Sequence, residues 1–453
     1  FKGSPPSPEA PKSHEAERSP RAGKNRGLAV PTLVCLPAMN LHTVDLAIIL
    51  LYLAATIWVG YWVSRRASRD IQAYFLGGNV LPWYFLGVSN ASGMFDIAGT
   101  MWMVYLLFIY GLKSVWVPWL WPVFNQIFLM VYLSAWLRRS NVMTGAEWIS
   151  TRFGFGPGAR MAHIIVVIYA LVGVVGFLSY GFKGIGKFAS DFFPWHLTPN
   201  QYALILMGIT TFYVVKGGMF SVVITEVIQF CILSFASITL GLIAMYRVSP
   251  DTLYKFVPAG WDQLFFGWTL KLDWSGLIPS ANTKIAQDGY SLFGIFFMMM
   301  LFKGILVSGA GPAPNYDMQR ILSTRNPREA GLMSSLVNVV LLFPRYFMIT
   351  GLTVLALVFF SDNIRAMGDK IDFEMILPYA LSRFVPVGLL GVLMAGLLAA
   401  FMSNFAATVN AAPAYIVNDI YKRYIRPDAE KRTYVRMSYV SSLGVVALGI
   451  TCG

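Results

Sequence analysis

Charged residues are scarce in this chain of 453 residues. Asp, Glu, Lys and Arg make up 13% of it, whereas hydrophobic residues make up 56%. A soluble globular protein carries roughly a quarter charged residues. The deficit therefore excludes a soluble multidomain enzyme, the class that the length alone would suggest.

Cysteine and histidine are also scarce. The three cysteines, Cys35, Cys231 and Cys452, lie far apart and form no Cys-x-x-Cys pair, so the sequence predicts neither a disulfide framework nor a zinc site. The four histidines are scattered, and none has the spacing that places two metal ligands on one helix face. A membrane enzyme is disfavoured because no cluster of His, Cys or Ser has catalytic spacing.

Long apolar runs dominate the chain after Met39, and each approaches the ~20 residues that cross ~30 Å of hydrocarbon. Hydropathy predicts about ten spans. They are residues 43–64, 80–112, 114–136, 162–182, 202–215, 221–246, 291–311, 332–360, 385–417 and 435–453. The sequence therefore predicts an all-α, polytopic membrane protein embedded in the lipid bilayer. Because the last run reaches Gly453, the chain is expected to stop inside a transmembrane region.

The first 38 residues have a different composition, rich in Pro, Ser, Ala, Lys, Arg and Glu. Such a segment cannot bury enough apolar surface to offset the entropy lost on ordering. We predict a disordered or non-native tail over residues 1–38, followed by a transmembrane domain over residues 39–453.

The formal net charge of +13 would suggest nucleic-acid binding in a soluble domain. Here most of the basic residues fall on alternate loops, which is the distribution of cytoplasmic loops. These loops carry Arg65, Arg66, Arg69, Arg138, Arg139, Arg152, Arg160, Lys216, Arg320, Arg325, Arg328, Lys422, Arg423, Arg426, Lys431, Arg432 and Arg436. The pattern predicts an N-terminus outside the cell membrane and accounts for the charge without nucleic acid.

Two predicted spans are interrupted by small, polar or helix-breaking residues. One contains VSNASGMFDIAG at residues 88–99, and the other ends in SGAGPAPNYD at residues 308–317. Unwound backbone at membrane depth must line a cavity or be buried in protein, because lipid satisfies no amide or carbonyl. A single proline kink can serve packing alone. Two breaks five spans apart favour the midplane binding site of a secondary transporter.

Four charged residues lie inside predicted spans: Asp96, Glu226, Lys303 and Arg345. Each costs about 2.5–3.5 kcal/mol at the bilayer centre on insertion scales, so each needs a partner or a function. We predict that Asp96 faces Lys303 or Lys183 across a central cavity. Structural ion pairs that hold the bundle together are the equally favoured alternative. The residues assigned to the substrate cavity are Asp96, Ser92, Lys183, Lys303, Gly309 and Gly311.

Four strings, in order along nearly the whole chain, resemble the sodium:solute symporter family. They are AYFLGGNVLPWYFLG at residues 73–87, GGMFSVVITEVIQ at 217–229, MQRILSTRNPREA at 318–330 and LAAFMSNFAATVNAAPAYIVNDIYKRY at 398–424. The resemblance implies two inverted five-helix repeats of the leucine-transporter type, with broken first and sixth core helices and one extra helix in front. On that scheme the chain ends near the ninth core helix.

The resemblance also implies a sodium site between the first and eighth core helices. Its ligands would be the backbone carbonyls of Ala91, Met94 and Ala400 and the hydroxyl of Ser403, all of them hard oxygen donors that suit sodium. Asn404 stands where the family usually has a second Ser or Thr, and its amide oxygen can also accept a cation.

Thr225 and Glu226 match the Thr-Asp pair of the family, with Glu in place of Asp. The resemblance suggests a role for them on the inward exit route of the ion. The alternative role for Glu226 is to pair with a nearby cation.

These observations predict a transporter rather than an enzyme: a secondary active carrier that couples sodium to the uptake of a small polar organic solute, either a sugar, an amino acid or an organic anion. Two alternatives stay open. One is proton coupling through Asp96 or Glu226, and the other is a transporter-like sensor whose signalling domain lies beyond residue 453.

Overall fold

The computed structural model describes residues 41–67, 70–95, 97–116, 125–265, 267–290, 292–310, 316–368, 373, 376, 381 and 385–453. The predicted tail at residues 1–38 lies outside these ranges, so its disorder stays a prediction.

The described chain is helical, and no strand occurs in those ranges. The α-helices of at least six residues are α1 (Thr43–Ala67), α2 (Ile71–Leu76), α3 (Trp83–Gly93), α4 (Ile97–Tyr110), α5 (Ser134–Arg139), α6 (Gly145–Phe153), α7 (Pro157–Phe192), α8 (Pro199–Arg247), α9 (Pro279–Asp288), α10 (Phe293–Ala310), α11 (Tyr316–Ser323), α12 (Pro327–Val340), α13 (Leu342–Met367), α14 (Leu389–Ala414) and α15 (Lys431–Cys452).

Six helical stretches of the described chain are long and apolar enough to cross a membrane. The longest is α8, whose 49 residues bend at Gly218, where φ is +52°. Only glycine adopts that backbone conformation without strain. The bend falls between the predicted spans 202–215 and 221–246, so α8 corresponds to both of them.

The predicted span 332–360 lies within one apolar helical stretch, Pro327–Met367, which carries a local interruption. In the structure α12 ends at Val340 and α13 begins at Leu342. Proline has no backbone N–H, so Pro344 cannot donate to the carbonyl of Val340, and the helical hydrogen-bond ladder is interrupted at that point.

The helix α14 forms the centre of the fold. It packs against α1, α7, α8 and α15, and nearly all of its residues are buried. A π-helical extension, Tyr415–Ile425, carries it beyond the predicted end of the span at residue 417. A helix that is apolar and buried on all sides is typical of the core of a large bundle.

The segment between α8 and α10 folds over the end of α4. Trp261 and Trp274 each donate an indole N–H at 3.0 Å, to the carbonyls of Phe108 and Ile109 respectively. Gly111 has a φ of +73°, and a Cβ atom at this position would lie 2.2 Å from the carbonyl oxygen of Trp261. The close approach of these two segments therefore requires glycine.

The first helix is joined to the central one by a buried carboxylate. Asp45 is fully buried, and its Oδ1 accepts N–H groups from Gly388 and Gly391, both at 2.7 Å. These N–H groups lie at the N-terminus of α14, where a helix has no backbone acceptors for them. Gly391 lets the helices meet, because a Cβ there would lie 2.7 Å from the Cα of Asp45.

Candidate functional site

The first predicted helix break is present in the structure. The helix α3 ends at Gly93, the N–H of Met94 turns back to the carbonyls of Asn90 and Ala91, and α4 begins at Ile97. Asp96 lies outside the described residues, so its predicted pairing stays a prediction.

The second predicted break centres on residues outside the described ranges, so it stays a prediction. The helix α10 ends at Ala310, with Gly309 in its last turn, and α11 begins at Tyr316. Gly311 belongs to the intervening residues 311–315, which lie outside the described ranges.

A buried ion pair lies beside the first break. Nη2 of Arg320, on α11, donates to both carboxylate oxygens of Glu226, on α8, at 2.6 and 2.7 Å. Glu226 is 0% exposed and Arg320 is 1% exposed. A buried carboxylate without a partner is strongly destabilising, so this pairing lets Glu226 occupy mid-membrane.

Two serine hydroxyls complete the surroundings of this pair. Ser89, on α3, accepts the Nε–H of Arg320 at 2.8 Å and donates to Glu226 Oε2 through a short hydrogen bond. Ser403, on α14, donates to Glu226 Oε1 at 3.2 Å. The cluster thus links four helices. They are α3, which precedes the first break, α11, and the long helices α8 and α14.

The contact between Ser403 and Glu226 brings together a predicted sodium ligand and a predicted residue of the ion route. Ser89 and Arg320 were missed as site residues, because Arg320 was assigned only to the topology of the inner loops. A signal for it existed: a glutamate in mid-span needs a cation, and Arg320 follows the predicted second break closely. Of the two roles considered for Glu226, pairing with a cation is the one observed.

The other predicted sodium ligands also lie in the interior. Ala91 and Ala400 are buried, Met94 is half-buried and Asn404 is 4% exposed. Among the described residues, the buried oxygens without a hydrogen-bond partner include Asn90 Oδ1, Ser92 Oγ and Asn404 Oδ1. They are neutral oxygen donors, so the chemistry of the region fits a hard cation such as sodium.

The hydroxyl of Thr225 is bonded within its own helix. Its Oγ1 donates to the carbonyls of Ser221 and Val222, at 2.7 and 3.0 Å, one turn back along α8. This bond turns the hydroxyl toward its own helix. A role for Thr225 on the ion route stays a prediction.

The structure does not bring Lys183 to the Glu226 cluster. Lys183 is exposed and continues the outer stripe of α7 formed by Tyr169, Val172 and Tyr180. Lys303 is also exposed, and its neighbours Phe302 and Leu306 on α10 are exposed too. Their assignment to the substrate cavity rested on charge within a span and stays a prediction.

A second buried carboxylate lies at the far end of the central helix. Asp419, in the π-helical extension of α14, lies 2.8 Å from Nε2 of His163 on α7, and its other oxygen accepts the hydroxyl of Thr144 at 2.6 Å. Thr144 also caps α6 by accepting the N–H of Glu147. This cluster was not predicted, because scattered histidines suggested no site.

A model of the sodium:solute symporter family matches residues 74–453. The chain belongs to the sodium:solute symporter family.

Relatives of this symporter-family chain carry names of sugar and polyol carriers. It is 26% identical to sodium/glucose cotransporter 4 of Danio rerio, over 91% of this chain and 63% of the relative. It is 24% identical to the sodium/glucose cotransporter of Vibrio parahaemolyticus, over 91% of this chain and 75% of that one. The chain therefore spans less than two thirds of the length of the first of these relatives.

A solved structure shares the fold of this symporter-family chain. It is the substrate-bound, outward-open state of a Na+-coupled sialic acid symporter, matched with a TM-score of 0.72 at 16% identity over 91% of this chain and 82% of that one. The predicted all-α fold of the leucine-transporter type is confirmed, and the first of its two predicted helix breaks is observed.

Proposed function

We propose that the chain is the transport domain of a secondary active symporter, which moves sodium and a small polar organic solute into the cell by alternating access. The observation that carries the proposal is the junction of Glu226, Arg320, Ser89 and Ser403. It ties α3, which precedes the first break, and α11 to two long helices, at the level where a secondary transporter binds its ligands.

Opening the inner side requires these helices to separate, so the junction acts as a closure that ligand binding must weaken. The buried oxygens of Asn90, Ser92 and Asn404 supply hard donors close to the first break and to Ser403. In this proposal sodium is coordinated by oxygen atoms of Ala91, Met94, Ala400, Ser403 and Asn404. It thereby links the end of α3 to the middle of α14.

The solute belongs to the same midplane cavity, which the sequence assigns to Asp96, Ser92, Lys183, Lys303, Gly309 and Gly311. Relatives named for glucose, mannose and myo-inositol favour a polyhydroxylated ring as the first candidate, with amino acids and organic anions next. We place the N-terminus of the domain outside the cell membrane, because the basic loops then face the cytoplasm.

The test is uptake into proteoliposomes under an inward sodium gradient, over a panel of glucose, mannose, myo-inositol, an amino acid and an organic acid. We expect at least one solute to accumulate, and its accumulation to stop when choline replaces sodium. Uptake that is unchanged in choline but collapses with the pH gradient would replace sodium by protons as the coupling ion. If no panel solute is taken up or bound with sodium present, the proposal is overturned.

Ser403→Ala tests the sodium site within the same assay. It removes one hydroxyl donor, so we expect the KM for sodium to rise about tenfold, equivalent to about 1.4 kcal/mol, with a smaller change in maximal uptake. Ser438→Ala is the matched control, because Ser438 is equally buried on α15 and bonds only to the carbonyl of Tyr434. Equal sodium KM values for the two variants would remove Ser403 from the site.

A further inference from the structure

A polar pocket of 560 Å³ lies at the end of the molecule that carries the basic loops. It is formed by α6 and the turn that follows it, together with the π-helical extension of α14. The lining side chains include Glu147, Ser150, Asn418, Asp419, Lys422 and Arg423. On the proposed orientation, which this inference adopts, the pocket opens at the cytoplasmic surface of the bilayer.

Two cations define the mouth of this pocket. Arg423 is oriented by a hydrogen bond from Nη1 to Ser150 Oγ at 3.1 Å, and its guanidinium lies 5.8 Å from the ring centroid of Phe155. Lys422 is exposed beside it. Within the part of the chain that the structure describes, neither residue forms an ion pair. A guanidinium has five N–H donors, so most of those on Arg423 can still bind an anion.

The two carboxylates of the pocket are already engaged inside the protein. Glu147 Oε2 accepts the N–H of Met143 at 2.8 Å and the side-chain amide of Asn418 at 3.2 Å. Asp419 is 1% exposed and is held by His163 and Thr144, as described above. Both carboxylates thus accept hydrogen bonds from the protein, whereas Lys422 is exposed and Arg423 has N–H groups left over, so the pocket can take an anion at these two cations.

Exposed apolar side chains surround the same pocket. Phe153 and Phe155 are 64% and 73% exposed, and Tyr424 and Ile425, which follow Arg423, are 51% and 61% exposed. Large apolar side chains next to arginine and lysine are typical of the membrane–water interface, where the ring enters the lipid and the cation meets the headgroups. The anion that reaches this pocket therefore comes from the bilayer rather than from solution.

We propose that this pocket binds the phosphate headgroup of an anionic phospholipid of the inner leaflet. Arg423 takes the phosphate through a paired N–H contact, as guanidinium groups do with phosphate oxygens. Lys422 adds a point charge. Basic pockets between helices on the cytoplasmic side are known binding places for such headgroups. Because the pocket spans α6 and the end of α14, a bound lipid braces these elements against each other.

The experiment is native mass spectrometry of the purified full chain in detergent, titrated with phosphatidylglycerol or with phosphatidylcholine of identical acyl chains. We expect phosphatidylglycerol to bind with at least about tenfold higher occupancy, and Lys422→Gln/Arg423→Gln to remove that preference. Lys431→Gln/Arg432→Gln is the control. It removes the same charge from the same inner segment, but neither residue lines the pocket.

An equal loss in both double variants would overturn the proposal, since general attraction to the basic surface would explain it. Equal binding of the two lipids would overturn it as well. Glycerol 1-phosphate in solution serves as the second arm: if it displaces phosphatidylglycerol at equal concentration, the ligand is a free anion and not a lipid.

Lys422→Gln alone guards against misfolding, because within the described residues the Lys422 side chain is exposed and forms no hydrogen bond or ion pair. It must lower phosphatidylglycerol occupancy, and an unchanged occupancy in this variant counts against the proposal. Lipid occupancy is measured without transport. A carrier that fails to take up any solute leaves this inference standing, and a failed lipid titration leaves the symport proposal standing.

Discussion

Glu226 and Asp419 are both buried carboxylates, but their partners differ in kind. Glu226 is bonded to an arginine, and its contacts include α11 and α3, the helix that precedes the first break. Asp419 is bonded to a histidine and a threonine at the ends of α7 and α6, which have no such break. Arginine carries its charge at every physiological pH, whereas histidine is charged only when protonated.

The comparison indicates two different tasks. A full ion pair compensates a carboxylate in a place where the surrounding helices must part during the transport cycle. Hydrogen bonds with a histidine and a threonine are sufficient to stabilise a buried carboxylate where the surrounding helices stay together. Four predictions about buried and exposed carboxylates, taken from the largest expected effect to the smallest, test this difference.

Arg320→Met should lower the free energy of unfolding the most. It leaves the Glu226 carboxylate buried without a counter-ion, which typically costs about 3–5 kcal/mol. The double variant Glu226→Gln/Arg320→Met should recover part of that loss, since Glu226 no longer carries a buried charge. Recovery should stay incomplete because Asp317, which is also buried and interacts with Arg320, keeps its carboxylate. Thermal unfolding in detergent measures both variants. If the double variant loses the sum of the two single losses, the residues are not coupled and the comparison fails.

Asp419→Asn should lower the free energy of unfolding by a smaller amount, about 1–3 kcal/mol. The amide oxygen can still accept the hydroxyl of Thr144, but the contact with His163 loses its charge. The same unfolding assay applies, and uptake should change less than in Glu226→Gln. An unfolding loss as large as that of Arg320→Met would mean that the two carboxylates are equivalent.

Asp45→Ala comes third. It removes the acceptor for the N–H groups of Gly388 and Gly391, and losing a helix cap costs about 0.5–2 kcal/mol. Asp45→Asn retains an acceptor oxygen and should lose only part of that. Equal losses for the two variants would show that the charge of Asp45 is what stabilises α14, rather than the hydrogen bonds.

Asp273 gives the smallest effect, because it is fully exposed in the segment between α8 and α10. Hydrogen bonds from the hydroxyl and N–H of Ser275, and from Asn282, lower the pKa of Asp273 from 3.8 to about 2. A lowered pKa stabilises the fold above pH 3.8, and this contribution is lost as the pH falls toward 2. NMR titration of the carboxyl carbon should give the low value in the wild type and a higher value in Ser275→Ala.

The sequence predicts the parts of the fold that depend on local chemistry. Glycines and polar residues mark the first break, and Gly218 lies at the bend in α8, because these residues act on the backbone where they stand. The predicted span 332–360 holds across the local interruption at Leu341, because the apolar run continues and only Pro344 lacks a backbone donor.

The pairings within the site could not be predicted in the same way. Glu226 and Arg320 are 94 positions apart, and nothing in the sequence between them fixes how α11 meets α8. Lys183 was assigned to the cavity because a charge within a span suggests a function. Only the folded helix shows that it shares a face with exposed residues such as Tyr169.

The cap on α14 also bears on the order in which the protein is made. Asp45 belongs to α1, and its partner Gly391 follows 346 positions later in the chain. Until α14 is made, the carboxylate of α1 has no N–H donors from it, so α1 enters the membrane before its partner exists. This contact therefore closes only after α14 is synthesised, and a nascent chain halted before residue 388 holds α1 without its anchor.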